Sequence, residues 1–414
     1  MKRVIIIGGG ITGLLSSYYL TRAGYEVTVI DKGDLSGGAS IVNAGYIAPS
    51  HIISLASPGV ITKGLKWMLN SSSPFYIKPR VDLHFIDWAW KFKRSSTLAK
   101  VELAIPVLKE LNVRSQILYE EILNEVNFTA HYEKKGLLTV YKTSAAEAEE
   151  VKKAERVKKE GLDVEILNRN EVLGIEPTLM EDIKGAVYYT CDSHSTPGDF
   201  VSNLIQWLKS NGVKFLLNEP VKSIEINKDK ITGIKTGKAL YEAESFVMAA
   251  GSWSQSLAGS IGINIPVQGG KGYSMDVYRD TGITIPTILA EAKVAVTPMK
   301  GFTRFAGTME FSGNNDIIRV NRVGAIAAAA GNYFKDIVIT EEEKGNARSG
   351  LRPVSPDGLP FLGKSSKYPN LIIATGHAMI GWSLGAITGK LVSQIICGEK
   401  PEVELTLLSP GRNF

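Results

Sequence analysis

The stretch Val4-Ile5-Ile6-Ile7-Gly8-Gly9-Gly10-Ile11-Thr12-Gly13, with Asp31 after it, decides how the chain folds. Four consecutive apolar residues predict a strand buried on both faces. The glycines that follow have the spacing G-x-G-x-x-G. Gly8 allows a tight turn, Gly10 lets backbone approach a pyrophosphate, and Gly13 lets the next helix lie close to the strand. Leu14, Leu15, Tyr18, Tyr19 and Leu20 supply a helix, Gly24 closes it, and Glu26 to Ile30 forms a second strand. The helix N-terminus offers unpaired N–H groups and a positive dipole end to phosphates. Asp31 suits a ribose 2′-hydroxyl and repels a 2′-phosphate, which favours FAD or NAD over NADP. The reading is an α/β Rossmann unit that binds a dinucleotide.

At 414 residues, with 44% apolar and 21% charged side chains, the chain can hold two cored domains. A surplus of five positive charges is too small and too scattered to indicate nucleic acid, and is compatible with loose attraction to an anionic membrane surface or anionic substrates. Cys191 and Cys397 are far apart and fit no metal-ligand spacing, which predicts a reduced, cytoplasmic compartment. The first strand starts at Val4, so no signal peptide is expected, and no run approaches the roughly 18 apolar residues of a membrane span. No His/Cys cluster predicts a metal.

Further along, Ser71-Ser72-Ser73-Pro74 predicts a break. The segment from Asp82 to Arg94 predicts a helix whose aromatic face packs on another helix or meets a membrane or partner. Thr97 to Val126 reads as two helices broken near Pro106. Ser144-x-x-Glu147 reads as a capping box opening a solvated helix, and Thr196-Pro197-x-Asp199 as an N-cap with a first-turn proline. Strands at Val221 to Ile226, Ile231 to Lys235 and Ser245 to Ala249 lead to Ala250-Gly251-Ser252-Trp253. An antiparallel region follows from about 263 to 341. Cofactor-type sequence then returns at Gly350-Leu351-Arg352-Pro353 and, after the strand Leu371 to Ala374, at Thr375-Gly376-His377 and Gly381. Nucleotide-binding segments at the start, middle and end predict a three-part cofactor domain (1–55, 194–262, 342–414). An inserted, antiparallel-sheet substrate domain with extra helices occupies 56–193 and 263–341.

These stretches resemble the FAD-dependent D-amino acid oxidase superfamily, most nearly its bacterial D-amino acid dehydrogenases, over essentially the whole chain. The matching pieces are the N-terminal fingerprint, Asn43 to His51, Pro74 to Arg80, Gly270 to Ser274, Gly307 to Phe311, Gly350 to Gly358 and Thr375 to His377. Two departures flank the expected flavin face. Gly376-His377-Ala378 stands where the dehydrogenases usually have Gly-His-Gly, and Gly381-Trp382-Ser383 where they often have Gly-Trp-Thr. The resemblance implies FAD and oxidation of D-amino acids to 2-oxo acids and ammonia. Cyclic substrates such as D-proline or 4-hydroxy-D-proline belong to the same reading. Hydride passes from Cα to flavin N5, and electrons go on to a quinone or other respiratory acceptor, often from the inner face of the membrane. The same fold also serves glycine and sarcosine oxidases, which use oxygen, and flavin-carrying subunits of larger dehydrogenases.

The cofactor-contacting set implied is Gly8, Gly10, Ile11, Thr12, Gly13, Asp31, Lys32, Ser40, Asn43, Ala44, Gly45, Tyr46, Val221, Gly251, Trp253, Gly376, His377 and Gly381. Neither cysteine is placed for a flavin bond, so FAD is expected to be non-covalent. Arg352 is expected to hold the substrate carboxylate, because a guanidinium offers a two-pronged fork that lysine lacks. Tyr273 and His51 are expected to bind substrate, Tyr273 and His377 to assist catalysis, and Lys271 to lie near the flavin. His194 is a weaker candidate.

Overall fold

The computed structural model describes residues 2–59, 73–125 and 128–414. The first sheet runs Lys214–Leu216, Glu26–Ile30, Arg3–Ile7, Ser245–Met248, Leu371–Thr375 and Phe361–Lys364. Five strands are parallel and the last is antiparallel. The all-apolar first strand is buried on both faces, as its composition requires. Val4 and Ile6 join a core with the helices Ile11–Arg22, Pro197–Ser210 and Gly385–Cys397, while Ile5 and Ile7 face the opposite core. A small sheet of Ser223–Asn227, Lys230–Lys235 and Leu240–Glu242 contributes to that second core.

Leu98–Glu125 is one unbroken helix with Pro106 inside it, not two pieces. A proline there removes one backbone hydrogen bond. The flanking Ala104, Ile105, Leu108 and Leu111 are all buried, and this packing keeps the helix continuous. The helix lies against the first sheet's helical layer although its sequence falls in the segment expected to serve the substrate domain. Val126, the expected end of the helix, and the Ser71-Ser72 break lie outside the described residues.

The second sheet runs Arg348–Val354, Gln268–Val277, Phe302–Phe311, Val294–Met299, Thr287–Leu289, Leu137–Tyr141, Gly185–Tyr189 and Glu165–Asn168, with Phe75–Ile77 beside Phe302–Phe311. Helix Val320–Tyr333 packs its apolar face on one side of it. Arg348–Val354, expected to travel with the C-terminal cofactor segment, hydrogen-bonds into this second sheet against Gln268–Val277. A third sheet, Tyr46–Ile47, Ser193–Ser195 and Tyr132–Glu133, joins the cofactor segment to the middle of the chain.

Local capping differs from the sequence reading at two helices. Thr143, not Ser144, caps the helix Ser144–Lys159, whose Glu150, Ala154 and Val157 are buried rather than solvated. Thr196 precedes the Pro197–Ser210 helix without a side-chain cap, because its hydroxyl is engaged with His131 and the Lys300 N–H. The aromatic helix Leu83–Ser95, capped by Asp82, buries Trp88 and Phe92 against Met309, Phe311 and Val354 of the second sheet rather than against a helix. Its other side leaves Leu83, Ile86 and Trp90 exposed. No helix of the described residues is long and apolar enough to cross a membrane.

Candidate functional site

The glycine fingerprint is built as its spacing demands. Gly8 has φ +107°, and a Cβ there would sit 2.4 Å from the Ala249 carbonyl oxygen; one on Gly13 would sit 1.9 Å from that of Gly8. Strand, turn and helix therefore close only with glycine at both positions. Gly10 stands at the helix N-terminus with no side-chain cap, and the Ile11 N–H donates to Ser40 Oγ at 2.9 Å. Ser40 thus fills one of the orphan donors that a phosphate oxygen would otherwise satisfy. Asp31 accepts from the N–H groups of Gly9 and Gly33, one on each carboxylate oxygen and both at 2.7 Å, so it fixes the loop. The Asp31 carbonyl accepts from Glu219, which brings Val221 to the same edge, and Lys32 Nζ lies 3.4 Å above the Trp253 ring. This cradle fits the adenosine diphosphate half of FAD.

The next segment is held from behind. Asn43 donates to the Ala39 and Ser40 carbonyls and accepts from Gly45, the Ala44 carbonyl accepts from Thr297, and that of Gly45 from the Ser195 N–H. The Tyr46 hydroxyl bonds the Thr287 and Val296 carbonyls, so its ring is turned into the second sheet and only its backbone remains to meet a cofactor. Arg304, unanticipated from the sequence, donates to the Ile41 and Asn43 carbonyls and forms a two-pronged pair with Asp276. Burial pushes the Asp276 carboxyl up, but Arg304 and Arg348 together hold it below its usual value. This pair bolts the second sheet to the cofactor segment.

On the C-terminal side, Gly251 and Gly376 both have positive φ, and Gly251's carbonyl accepts from Thr375. His377 does not project into open space. It is 2% exposed, its Nε2 bonds Thr388 of the C-terminal helix, and burial pulls it down to about 4, so the ring is neutral at physiological pH. What the Gly376–Gly381 loop offers a cofactor is backbone.

Arg352 is half-buried on the strand facing Ala39 and Val42 of the cofactor segment. Its guanidinium lies flat over Gly272, where a Cβ would be 2.1 Å from Nη1 and 2.4 Å from Nη2. Nη1 donates to the Thr308 carbonyl at 2.9 Å. Thr308 has φ +69°, a strained value for a β-branched residue, and marks a bulge where the pairing of Phe302–Phe311 with Gln268–Val277 slips. The bulge aims that carbonyl at the arginine. Among the described residues no carboxylate pairs with Arg352. Burial alone pulls it down to about 10, and it remains cationic. The result is a cationic guanidinium with one prong fixed on the Thr308 carbonyl. Gly272 and Thr308 were both inside recognised stretches, but no sequence signal assigned them a role.

Three expected residues are not brought to this fork. Tyr273 lies beside Met275 and Val277 in the core under helix Val320–Tyr333, with its hydroxyl on Glu310 at 2.8 Å. Burial, then Glu310, raise its pKa. It follows Gly272 by one residue, and strand alternation turns it to the opposite face. Lys271 is fully buried there too, bonded to Asn315 and the Ile317 carbonyl. His51 is held neutral by burial, which pulls it down to about 4, and the charges it senses are Glu150 and Lys153 rather than Arg352. Among the described residues, His131, Glu133 and His194 bring one donor atom each within 4.8 Å of one another, a grouping the sequence reading did not single out.

With two sheets, a dinucleotide cradle and an anion fork between them, the molecule has the layout of a flavin oxidoreductase with a separate substrate layer. The chain belongs to the family of FAD-dependent oxidoreductases of the D-amino acid oxidase type, whose model matches residues 3–395. It is an enzyme that uses FAD. A D-amino acid dehydrogenase of Bradyrhizobium diazoefficiens is 29% identical over 420 residues, covering 99% of this chain and 98% of that one. Glycine oxidase from Geobacillus kaustophilus has the same fold, with a TM-score of 0.81 at 22% identity over the full length of both chains. L-proline dehydrogenase from P. horikoshii also shares it, with a TM-score of 0.74 at 18% identity over 99% and 96% of the two chains.

Proposed function

We propose that this protein is a D-amino acid dehydrogenase in which Arg352 holds the substrate α-carboxylate. One observation carries the assignment: a half-buried guanidinium, unpaired by any described carboxylate, stands where the substrate sheet meets the cofactor segment. The end-to-end alignment with D-amino acid dehydrogenases supports the choice of amino acids as substrates. FAD, when bound, supplies the two-electron acceptor that takes the Cα hydride at N5. The chain's own task is orientation. Thr308 fixes one prong of the Arg352 fork and Gly272 gives it a floor, so the carboxylate is held in one plane and Cα is presented to the ring. Burial disfavours the charged form of both His377 and His51, and His377 Nε2 is engaged with Thr388, so either ring is a weak base toward a substrate ammonium.

The finer reading is non-covalent FAD, with electrons passed to a quinone or another respiratory acceptor. Cyclic substrates such as D-proline and 4-hydroxy-D-proline are included in its range. The exposed Leu83, Ile86 and Trp90, beside Lys91, Lys93 and Arg94, support peripheral contact with the inner face of the cytoplasmic membrane. The division into cofactor segments 1–55, 194–262 and 342–414 and substrate segments 56–193 and 263–341 is part of the same proposal, with Arg348–Val354 shared between the two. A dye-reduction screen over D- and L-amino acids, proline and hydroxyproline isomers, sarcosine and glycine tests it, run in parallel with peroxide detection. Turnover confined to D-isomers, abolished to roughly two to four orders of magnitude below normal by Arg352→Ala with flavin retained, is the expected result. Stoichiometric peroxide, or a near-normal Arg352→Ala enzyme, overturns it.

A further inference from the structure

We propose that His131, Glu133 and His194 form a binding site for a divalent first-row transition metal, with zinc as the reference ion. His131 and Glu133 stand two residues apart on one segment, and His194, distant in the sequence, meets them because the third sheet pairs Glu133 with His194 and Tyr132 with Ser195. His131 Nε2 lies 3.7 Å from one Glu133 oxygen and His194 Nε2 lies 3.5 Å from the other. Ligand atoms bound tetrahedrally at about 2.0–2.1 Å from one ion stand roughly 3.3–3.4 Å apart. Taking one donor atom from each residue, the three lie within 4.8 Å of one another, so binding an ion requires the side chains to close by up to roughly 1.4 Å, a rotamer adjustment open to the partly exposed His131 and Glu133. Two imidazoles and a carboxylate with room for water are a donor set suited to Zn2+ and its neighbours.

An independent observation points the same way. His194 is completely buried, and neither ring nitrogen makes a hydrogen bond of good geometry: the Pro298 backbone lies within reach of the ring, and Nε2 faces a Glu133 oxygen at 3.5 Å. A neutral imidazole always carries one N–H and one lone pair, and burying both unmet is costly. A metal at Nε2 satisfies the lone pair. His131 is prepared differently: its Nδ1 is engaged with Thr196 Oγ1 at 2.9 Å, an outer-shell contact that leaves Nε2 toward Glu133. Lys135 Nζ, 3.0 Å from Glu133, is the resident cation that an ion would displace.

The site is structural, and it stands behind the cofactor. The strand that carries His194 also carries Ser195, whose N–H donates to the Gly45 carbonyl and whose hydroxyl receives Trp382 Nε1. On the strand's other side Tyr46 pairs with His194. An ion here staples the 131–133 segment to the layer that backs Asn43 to Tyr46, and it takes no part in electron transfer. The proposal does not depend on which substrate Arg352 receives.

The test uses the tag-free, FAD-loaded full chain, stripped with chelator and titrated with Zn2+ against a chromophoric competitor. One equivalent is expected to bind and to raise the melting temperature, and Co2+ in its place is expected to give d–d absorption beyond the flavin bands. His131→Ala and Glu133→Gln, both at partly exposed positions, are expected to weaken binding by more than the roughly 10–100-fold typical of lost outer-shell partners while keeping the flavin spectrum. Lys135→Met is expected to tighten it. A wild-type chain with no stoichiometric Zn2+, or binding that survives either ligand substitution, overturns the proposal, and so does a Lys135→Met chain that binds no tighter.

Discussion

Gly272→Ala isolates the geometry of the anion fork from its charge. The backbone at Gly272 is not in the left-handed region, so alanine fits the strand, but its methyl would lie 2.1–2.5 Å from three atoms of the Arg352 guanidinium. Ordinary contact begins near 3.4 Å. The guanidinium therefore has to lift by more than an ångström, which breaks its bond to the Thr308 carbonyl and tilts its plane. A misplacement of about 1 Å costs on the order of 100-fold in rate, or about 2.7 kcal/mol. The end of an arginine is flexible, so the fold absorbs the change and the melting temperature moves little. Steady-state dye reduction with the best D-amino acid is expected to show the loss in kcat/KM with kcat itself lowered, since a tilted fork still binds the carboxylate but no longer presents Cα to the ring. The double variant with Arg352→Ala is expected to be no worse than Arg352→Ala alone, because the methyl has nothing left to displace. Normal kcat/KM in flavin-replete Gly272→Ala, or additive losses in the double variant, would refute the placement of the fork.

Three further outcomes follow from the buried charges. Burial raises the Asp192 carboxyl to about 7, against the opposing hydrogen bonds from Ser50. The folded protein then holds a proton that the unfolded chain releases near pH 4, so this group's contribution is fully present below pH 4 and lost as pH rises through 7, by at most roughly 4 kcal/mol. Asp192→Asn should flatten the stability curve across that window in denaturant titrations, and parallel wild-type and variant curves would contradict it. Arg304→Ala leaves the buried Asp276 without its two-pronged partner and frees the Ile41 and Asn43 carbonyls; a loss of about 3–5 kcal/mol and weaker FAD retention are expected by melting and fluorescence. Because Asp276 is held below its usual value, that pair's contribution is present above the ordinary aspartate range and fades as pH falls through the lowered one. His377 is neutral down to about 4, so His377→Gln should leave both limbs of the kcat/KM profile in place, and a displaced limb would make the ring a proton carrier after all.

The sequence alone determined the cofactor half of this protein, because that half is written in local chemistry. A run of four apolar residues leading straight into G-x-G-x-x-G reads as a strand covered on both sides, and Gly8 and Gly13 mark points where any Cβ would strike backbone. Such constraints act between residues a few positions apart, so they leave a readable spacing. Arg352 was legible for a different reason: the stretch Gly350 to Gly358 resembles the family, and a guanidinium there offers the two-pronged fork that a carboxylate needs. The tertiary structure decided everything that depends on which face of a strand a residue takes. Tyr273 and Gly272 are adjacent, yet the pleat sends one into the core and leaves the other beneath the guanidinium. The bulge at Thr308 and the continuity of the helix through Pro106 depend on what packs against them. The Arg304–Asp276 bolt and the meeting of His131, Glu133 and His194 depend on pairings between distant strands. None of these has a spacing to read, because the distance that matters is across the sheet and not along the chain.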